Sequence, residues 1–275
     1  MSDMHGKTVL VTGATSGMGL ATAVQLARMG AHVLAHGRTD DSAMAAAARI
    51  SRDAHSDRVM HVSADLSSLE EVRGLAEAVT RRAERLDVLV NNAGVFMPTR
   101  FETIDGLEMT WAVDHLAHFT LTLLLAELLT ENTARVIHVS SVAHFRGAID
   151  LEDLDWRRSA YDGYMAYAAS KLMNVLFAFE LGHRWAGTGV TSNALHPGVI
   201  DTKLLRTGFP GQQGASPELG AATAVYLATS PEVEDTTGRY FVNQHVAHAS
   251  PGADDMELRK GLWQVSERLS GVTYD

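Results

Sequence analysis

The sequence predicts an α/β protein, one domain built on a doubly wound, mostly parallel seven-stranded sheet with helices on both faces. Three observations carry that expectation. Short aliphatic or β-branched runs alternate with longer helical patterns from end to end, as βαβ units require. A chain of 275 residues can bury one substantial core. Its 46% hydrophobic and 20% charged residues are ordinary globular composition, with no repeat or low-complexity block. Strands are read over 8–11, 32–35, 59–62, 88–90, 135–139, 191–195 and 240–242, with helical patterns over 18–29, 42–52, 69–85, 107–129, 164–185 and 218–227. Right-handed crossovers then distribute the helices to both faces.

Two connections are longer than a tight turn. One, near 144–163, includes a stretch at 150–162 rich in Asp, Arg and Trp. The other, at 200–216, sets Leu204, Leu205 and Phe209 among Gly and Pro. Both are expected at the mouth of the site as lids, although an ordinary long loop has the same composition.

A net charge of −10 excludes a general role on nucleic acid, which is bound through clustered Lys and Arg; a nucleotide cofactor needs only a local positive site. The chain has no cysteine, hence no disulfide, thiolate metal site or cysteine nucleophile, which suits a reducing compartment. Lys7 and the apolar run at 8–11 lead straight into a glycine-rich turn, unlike a secretory leader. The run at 121–129 contains Glu127 and is shorter than the roughly 20 residues that span a bilayer. A soluble, cytoplasmic protein with no membrane partner is expected. His115 with His118, and His245 with His248 in a loop, lack a carboxylate or third ligand in order, so packing is preferred to a metal site.

Chemistry enters at Thr12-Gly13-Ala14-Thr15-Ser16-Gly17-Met18-Gly19, between the first strand and the first helix. Gly13 can make the tight turn, Gly17 lets the backbone approach a pyrophosphate, and Gly19 permits close helix packing. Taken alone, this could also be a plain strand-to-helix turn. Further segments agree in order and spacing: Asn91-Asn92-Ala93-Gly94, Ser140-Ser141, Tyr167-x3-Lys171 and Pro197-Gly198.

Together these segments resemble the short-chain dehydrogenase/reductase family along the whole chain. The stretches VDHLAHF, VSSVAH, YAASKLMNVLF and ALHPGVIDT are most similar to its retinol-dehydrogenase-like and WW-domain-oxidoreductase-like branch. The resemblance implies a Rossmann fold, a nicotinamide cofactor and hydride transfer between that cofactor and a carbonyl or alcohol carbon. It places the cofactor against Gly13, Thr15, Ser16, Gly17, Met18, Gly19, Asp65, Leu66, Asn91, Ala93, Gly94, Pro197, Gly198, Val199, Ile200 and Thr202. Asp65 would also serve as a helix N-cap, Asn92 as a purely structural residue and Thr202 as a loop threonine.

After the second strand, Gly37 stands where an NAD-preferring enzyme normally places an acid for the ribose hydroxyls. Arg38 beside it can fork onto a 2′-phosphate, so NADP(H) is expected over NAD(H); a lone solvated arginine is the alternative.

Carbonyl reduction needs a proton donor near the hydride acceptor. Tyr167 is the candidate acid/base, with Lys171 one helical turn later to favour the tyrosinate and hold the nicotinamide ribose. Tyr161 and Tyr164 reach only Met165 and Ala168 at the same spacing. The family pattern makes Ser141, rather than Ser140, the residue that orients the substrate oxygen. One departure concerns Asp114, where many members have an Asn that holds a water between the lysine and solvent through its backbone carbonyl. An ionised Asp114 would add a negative charge beside Lys171.

The expected activity is therefore NADP(H)-dependent reduction or oxidation of an apolar substrate admitted between Phe145, the 150–162 loop and the 200–216 segment. An NADP(H)-binding sensor with little turnover, or an epimerase or dehydratase on the same scaffold, are the alternatives. The helices at 107–129 and 164–185 are those through which family members pair, so a homodimer or homotetramer is expected.

Overall fold

The computed structural model describes residues 3–274. The seven expected strands all form: β1 (Thr8–Val11), β2 (His32–Gly37), β3 (Val59–Ser63), β4 (Val88–Asn91), β5 (Arg135–Val139), β6 (Thr191–His196) and β7 (Arg239–Val242). They run parallel in the order β3-β2-β1-β4-β5-β6-β7. An eighth strand, β8 (His245–Ala247), turns back antiparallel on β7, correcting both the strand count and the loop expected around His245. Asn243 and Gln244 make that two-residue turn with φ of +50° and +67°, as a tight hairpin requires.

Successive strand residues point to opposite layers, and both layers are apolar. Val9, Val11, Val33, Ala35, Val88 and Val90 pack under α1 (Gly17–Arg28), α2 (Asp40–Ala54) and α9 (Pro217–Thr229). Leu10, Leu34, Leu89 and Val136 face α3 (Leu69–Arg82), α5 (Ala117–Leu124) and α7 (Gly163–Arg184). A strand covered on both faces reads as a continuous apolar run, which is why these strands are visible in the sequence.

The helix expected over 107–129 is broken. It starts as α4 (Met109–Trp111), passes through a π turn over Ala112–Leu116, resumes as α5 and ends as α6 (Ala126–Thr130). The segment at 200–216 contains the short α8 (Lys203–Gly208), and an Ile200 to Ala215 bridge closes it at the base.

The last helix, α10 (Met256–Ser270), lies outside the helices expected from the sequence, although Leu258, Leu262, Val265 and Leu269 recur at helical spacing. Its signals were present: Asp255 caps the Leu258 amide at 3.0 Å, and Gly271 ends the helix at φ +65°. α10 lies across α5 and α7. Trp263 meets Phe119 edge-on at 5.0 Å, the Arg184 guanidinium lies 4.3 Å over its ring, and Ser266 bonds His115 at 3.1 Å. Residues 117–123 and 166–178 are buried within one chain, and α10 covers part of the outer side of both helices. Among the described residues no helix is long and apolar enough to cross a membrane.

Trp263→Ala removes the side chain that joins α10 to both helices. It should destabilise the fold by about 3–5 kcal/mol, read as a lower urea midpoint with little change in slope.

Candidate active site

The carboxyl ends of β1 and β4 diverge into a cleft of about 880 Å³, at the point where the strand order reverses direction. Thr12, just past β1, ties its two sides together. Its Oγ accepts from the amides of Asn92 and Ala93 at 2.8 and 2.9 Å. Asn92 returns a bond from Nδ2 to the Thr12 carbonyl at 2.7 Å, so its structural reading is the one its contacts support.

Close backbone approach then demands glycine. Gly13 has φ +65°, and a Cβ there would stand 2.9 Å from the Ala93 Cα; a Cβ on Gly19 would overlap the Asn92 amide and the Gly13 carbonyl. The Ser16 side chain makes no cap bond to α1, which leaves that helix's first amides facing the cleft. At the far end, a Cβ on Gly37 would stand 2.8 Å from Thr15 and 2.9 Å from the Ala43 backbone. No acidic side chain fits there, and exposed Arg38 lines the rim beside Asp65 and Leu66. Asp65 itself bonds the Ser67 amide and hydroxyl, and the cap of α3 is Ser68.

Of the residues expected to bind cofactor or substrate, all but Asn91, Asp114 and Phe145 line this cleft. The Asn91 side chain does not reach it: its amide donates to the Thr122 hydroxyl at 3.1 Å, because strand alternation turns it away from the opening. Phe145 is outside the lining as well, exposed, with its ring centroid 4.2 Å from that of His144. The 150–162 loop is absent from the lining too. Asp155 takes the Glu108 amide and the Trp111 indole, both at 2.9 Å, which docks the loop on the start of α4. Phe96, Tyr164 and Phe209 stand there instead, with Phe96 5.6 Å from Phe209 and 5.8 Å from Tyr167. Phe209 comes from the 200–216 segment, as expected; nothing in the sequence pattern marks Phe96, which follows Gly94 by two residues.

Tyr167 and Lys171 share one face of α7, with the ammonium 5.3 Å from the phenol ring centroid. Ser141, at the end of β5, completes the group. Asp114 lies behind them on the π turn, fully buried, its Oδ2 2.7 Å from the Lys171 ammonium. Its other oxygen accepts the Val95 amide at 2.8 Å, and the Ser170 hydroxyl donates to Oδ2 at 3.2 Å. The side chain therefore meets the lysine directly. The backbone carbonyl, where the family's bridging water would bind, accepts from His118 Nδ1 at 3.0 Å.

Burial dominates the electrostatics. It pushes the Tyr167 phenol above its ordinary pKa; Lys171 and Ser141 oppose that and Asp114 adds to it. Burial alone would lower the Lys171 ammonium, but Asp114 and Tyr167 outweigh it and hold it above the usual lysine value. Burial raises the Asp114 carboxyl, against the pull of Lys171. Near neutrality the phenol thus keeps its proton, the state needed to donate one. A second groove, between α1 and α9, holds none of these groups.

A nucleotide-sized cleft at the strand reversal, floored by glycines and closed by a Ser-Tyr-Lys group, defines a dinucleotide-binding oxidoreductase scaffold. The chain belongs to the short-chain dehydrogenase family, whose profile matches residues 7–213, and to its retinol-dehydrogenase-like branch. It is 42% identical to retinol dehydrogenase 13 of Mus musculus, over 97% of this chain and 84% of that protein. Among solved structures, an uncharacterised protein from Mycobacterium paratuberculosis superposes with a TM-score of 0.84 at 32% identity, covering 100% of this chain and 97% of that one. The RhlG–NADP active-site complex of Pseudomonas aeruginosa gives 0.71 at 27% identity, covering 87% and 95%.

Asp114→Asn keeps an oxygen for the Val95 amide and removes the charge. Since Asp114 raises both neighbours, Tyr167 and Lys171 should each titrate at lower pH in the variant. The tyrosinate ultraviolet absorbance, with Tyr167→Phe subtracted, reads the shift; an unchanged titration would show that the carboxylate does not act on the phenol.

Proposed function

We propose that this chain is an NADP(H)-dependent oxidoreductase that moves a hydride between nicotinamide and the carbonyl or alcohol carbon of an apolar substrate. The observation that carries the reading is the convergence of Ser141, Tyr167 and Lys171 in the cleft that also holds the glycine loop and Arg38. The open amides at the start of α1 and the glycine cradle suit a pyrophosphate, and the absence of room at Gly37 suits a 2′-phosphate held by Arg38. When bound, the nicotinamide supplies or accepts the hydride.

The chain's own residues do the rest. Ser141 orients the substrate oxygen. Tyr167, buried and protonated, donates its proton to that oxygen in reduction and recovers it in oxidation. Lys171 stabilises the phenolate that forms and holds the nicotinamide ribose. Phe96, Tyr164 and Phe209 offer an aromatic wall, which suits an apolar substrate, and the similar mouse protein is named for an apolar alcohol. The direct Asp114–Lys171 contact is the observation that favours the second reading, a cofactor-binding sensor with weak turnover.

With a panel of aldehydes and ketones, wild type should oxidise NADPH in preference to NADH. Tyr167→Phe should lose roughly 10²–10⁴-fold in kcat while still binding NADPH. Tight NADPH binding without turnover of any carbonyl would favour the sensor. Arg38→Ala should raise KM for NADPH by about tenfold or more and leave KM for NADH nearly unchanged; equal effects on both would remove Arg38 from the phosphate site.

A further inference from the structure

His144 follows Ser141 by three residues, in the 3₁₀ turn Val142–Arg146, and is fully buried. Main-chain groups engage both of its ring nitrogens. Nδ1 lies 2.7 Å from the Ser141 carbonyl, and Nε2 lies 3.0 Å from the amide nitrogen of Ser250, which is 106 residues further along. An amide N–H only donates, so Nε2 must accept. A neutral ring then carries its proton on Nδ1 and donates it to the Ser141 carbonyl. Tyr240 at 4.7 Å and Phe145 at 4.2 Å flank the ring. Burial, partly offset by the Ser141 carbonyl, holds its pKa below the ordinary histidine value and so favours the neutral form.

Ser141 needs such an anchor. Its Oγ accepts the Ala143 amide at 3.2 Å, which fixes where the hydroxyl proton can point. Its two neighbours are pinned, Ser140 Oγ to the Lys171 carbonyl at 2.7 Å and the Val142 amide to His196 at 3.1 Å. The carbonyl of Ser141 itself is held by His144, through both backbone and ring. We propose that His144 is a positioning residue for Ser141, and that the Ser250 amide, at the turn leading into α10, locks the tautomer that lets it act. The inference rests on the substrate-orienting role proposed for Ser141.

Three substitutions separate the two ends of the ring. His144→Asn places an amide donor where Nδ1 stands and should keep kcat within about threefold. His144→Gln can reach the Ser250 amide but leaves the Ser141 carbonyl with its backbone donor alone; kcat should fall by about tenfold or more, with KM for NADPH changing by less than about twofold. Ser250 already has φ −62°, so Ser250→Pro deletes its N–H at a proline-compatible angle. With His144 present that change frees the other tautomer and should lower kcat; in the His144→Asn background, where no tautomer exists, it should cost nothing further. Equal kcat for the Asn and Gln variants, or the same loss from Ser250→Pro in both backgrounds, would overturn the proposal.

A second readout needs no turnover and no variant that must fold. Nitrogen-15 shifts of the labelled imidazole in wild-type protein should show the proton on Nδ1, and a proton on Nε2 sinks the idea. A wild type inactive on every carbonyl but showing the Nδ1–H tautomer would count against the oxidoreductase reading and in favour of the lock.

Discussion

The ammonium of Lys171 sits where only 4% of its side chain meets solvent, and a charge that deep cannot stand unpaired. Asp114 answers it at 2.7 Å, and much of the surrounding architecture follows from making that contact fit. The carboxylate needs donors for its remaining lone pairs, which the Val95 amide and the Ser170 hydroxyl supply. It also needs space on the lysine side. A Cβ on Gly94 would stand 3.1 Å from the ammonium and 3.3 Å from the carboxylate, so the residue after Ala93 carries none. Buried pairs add little net stability, yet losing one partner is costly, on the order of 3–5 kcal/mol. The pair is thus better understood as fixing α7 against the π turn and, through the Val95 amide, against the segment that follows β4 than as a source of stability.

Around this ion pair the polar interior is held by neutral rings. His36 accepts the Gly13 amide on Nδ1 at 3.1 Å and so donates from Nε2 to the Ala64 carbonyl at 3.0 Å. His118 donates from Nδ1 to the Asp114 carbonyl and faces the Thr12 hydroxyl with Nε2 at 2.9 Å. Burial holds their pKa values down at about 4 and about 3. Each ring therefore serves as a two-ended clamp without another charge to desolvate. One links the glycine loop to the end of β3, and the other links that loop to the π turn that carries Asp114.

The C-terminal helix extends the same logic outward. By covering α5 and α7 it turns their apolar faces into core, and the turn that leads into it reaches back to His144 at the edge of the cleft. Support for the site thus comes from both ends of the chain.

Much of this was legible in the residues themselves. Strands buried on both faces write themselves as apolar runs, and the glycine loop and the Tyr167–Lys171 pair stand at spacings that a strand-to-helix turn or a helix converts directly into proximity. Local rules were enough there because each of those relations lies within one element or turn, whereas Ser141 was marked by the family resemblance. Whatever depends on packing between distant elements was not legible. The π turn that brings Asp114 onto Lys171, the place of Phe96 rather than Phe145 in the cleft wall and the docking of α10 all arise from contacts across the sheet or between layers. Composition carries no record of those contacts, since the same Asp or Phe can face water or core until the elements on either side of it are in place.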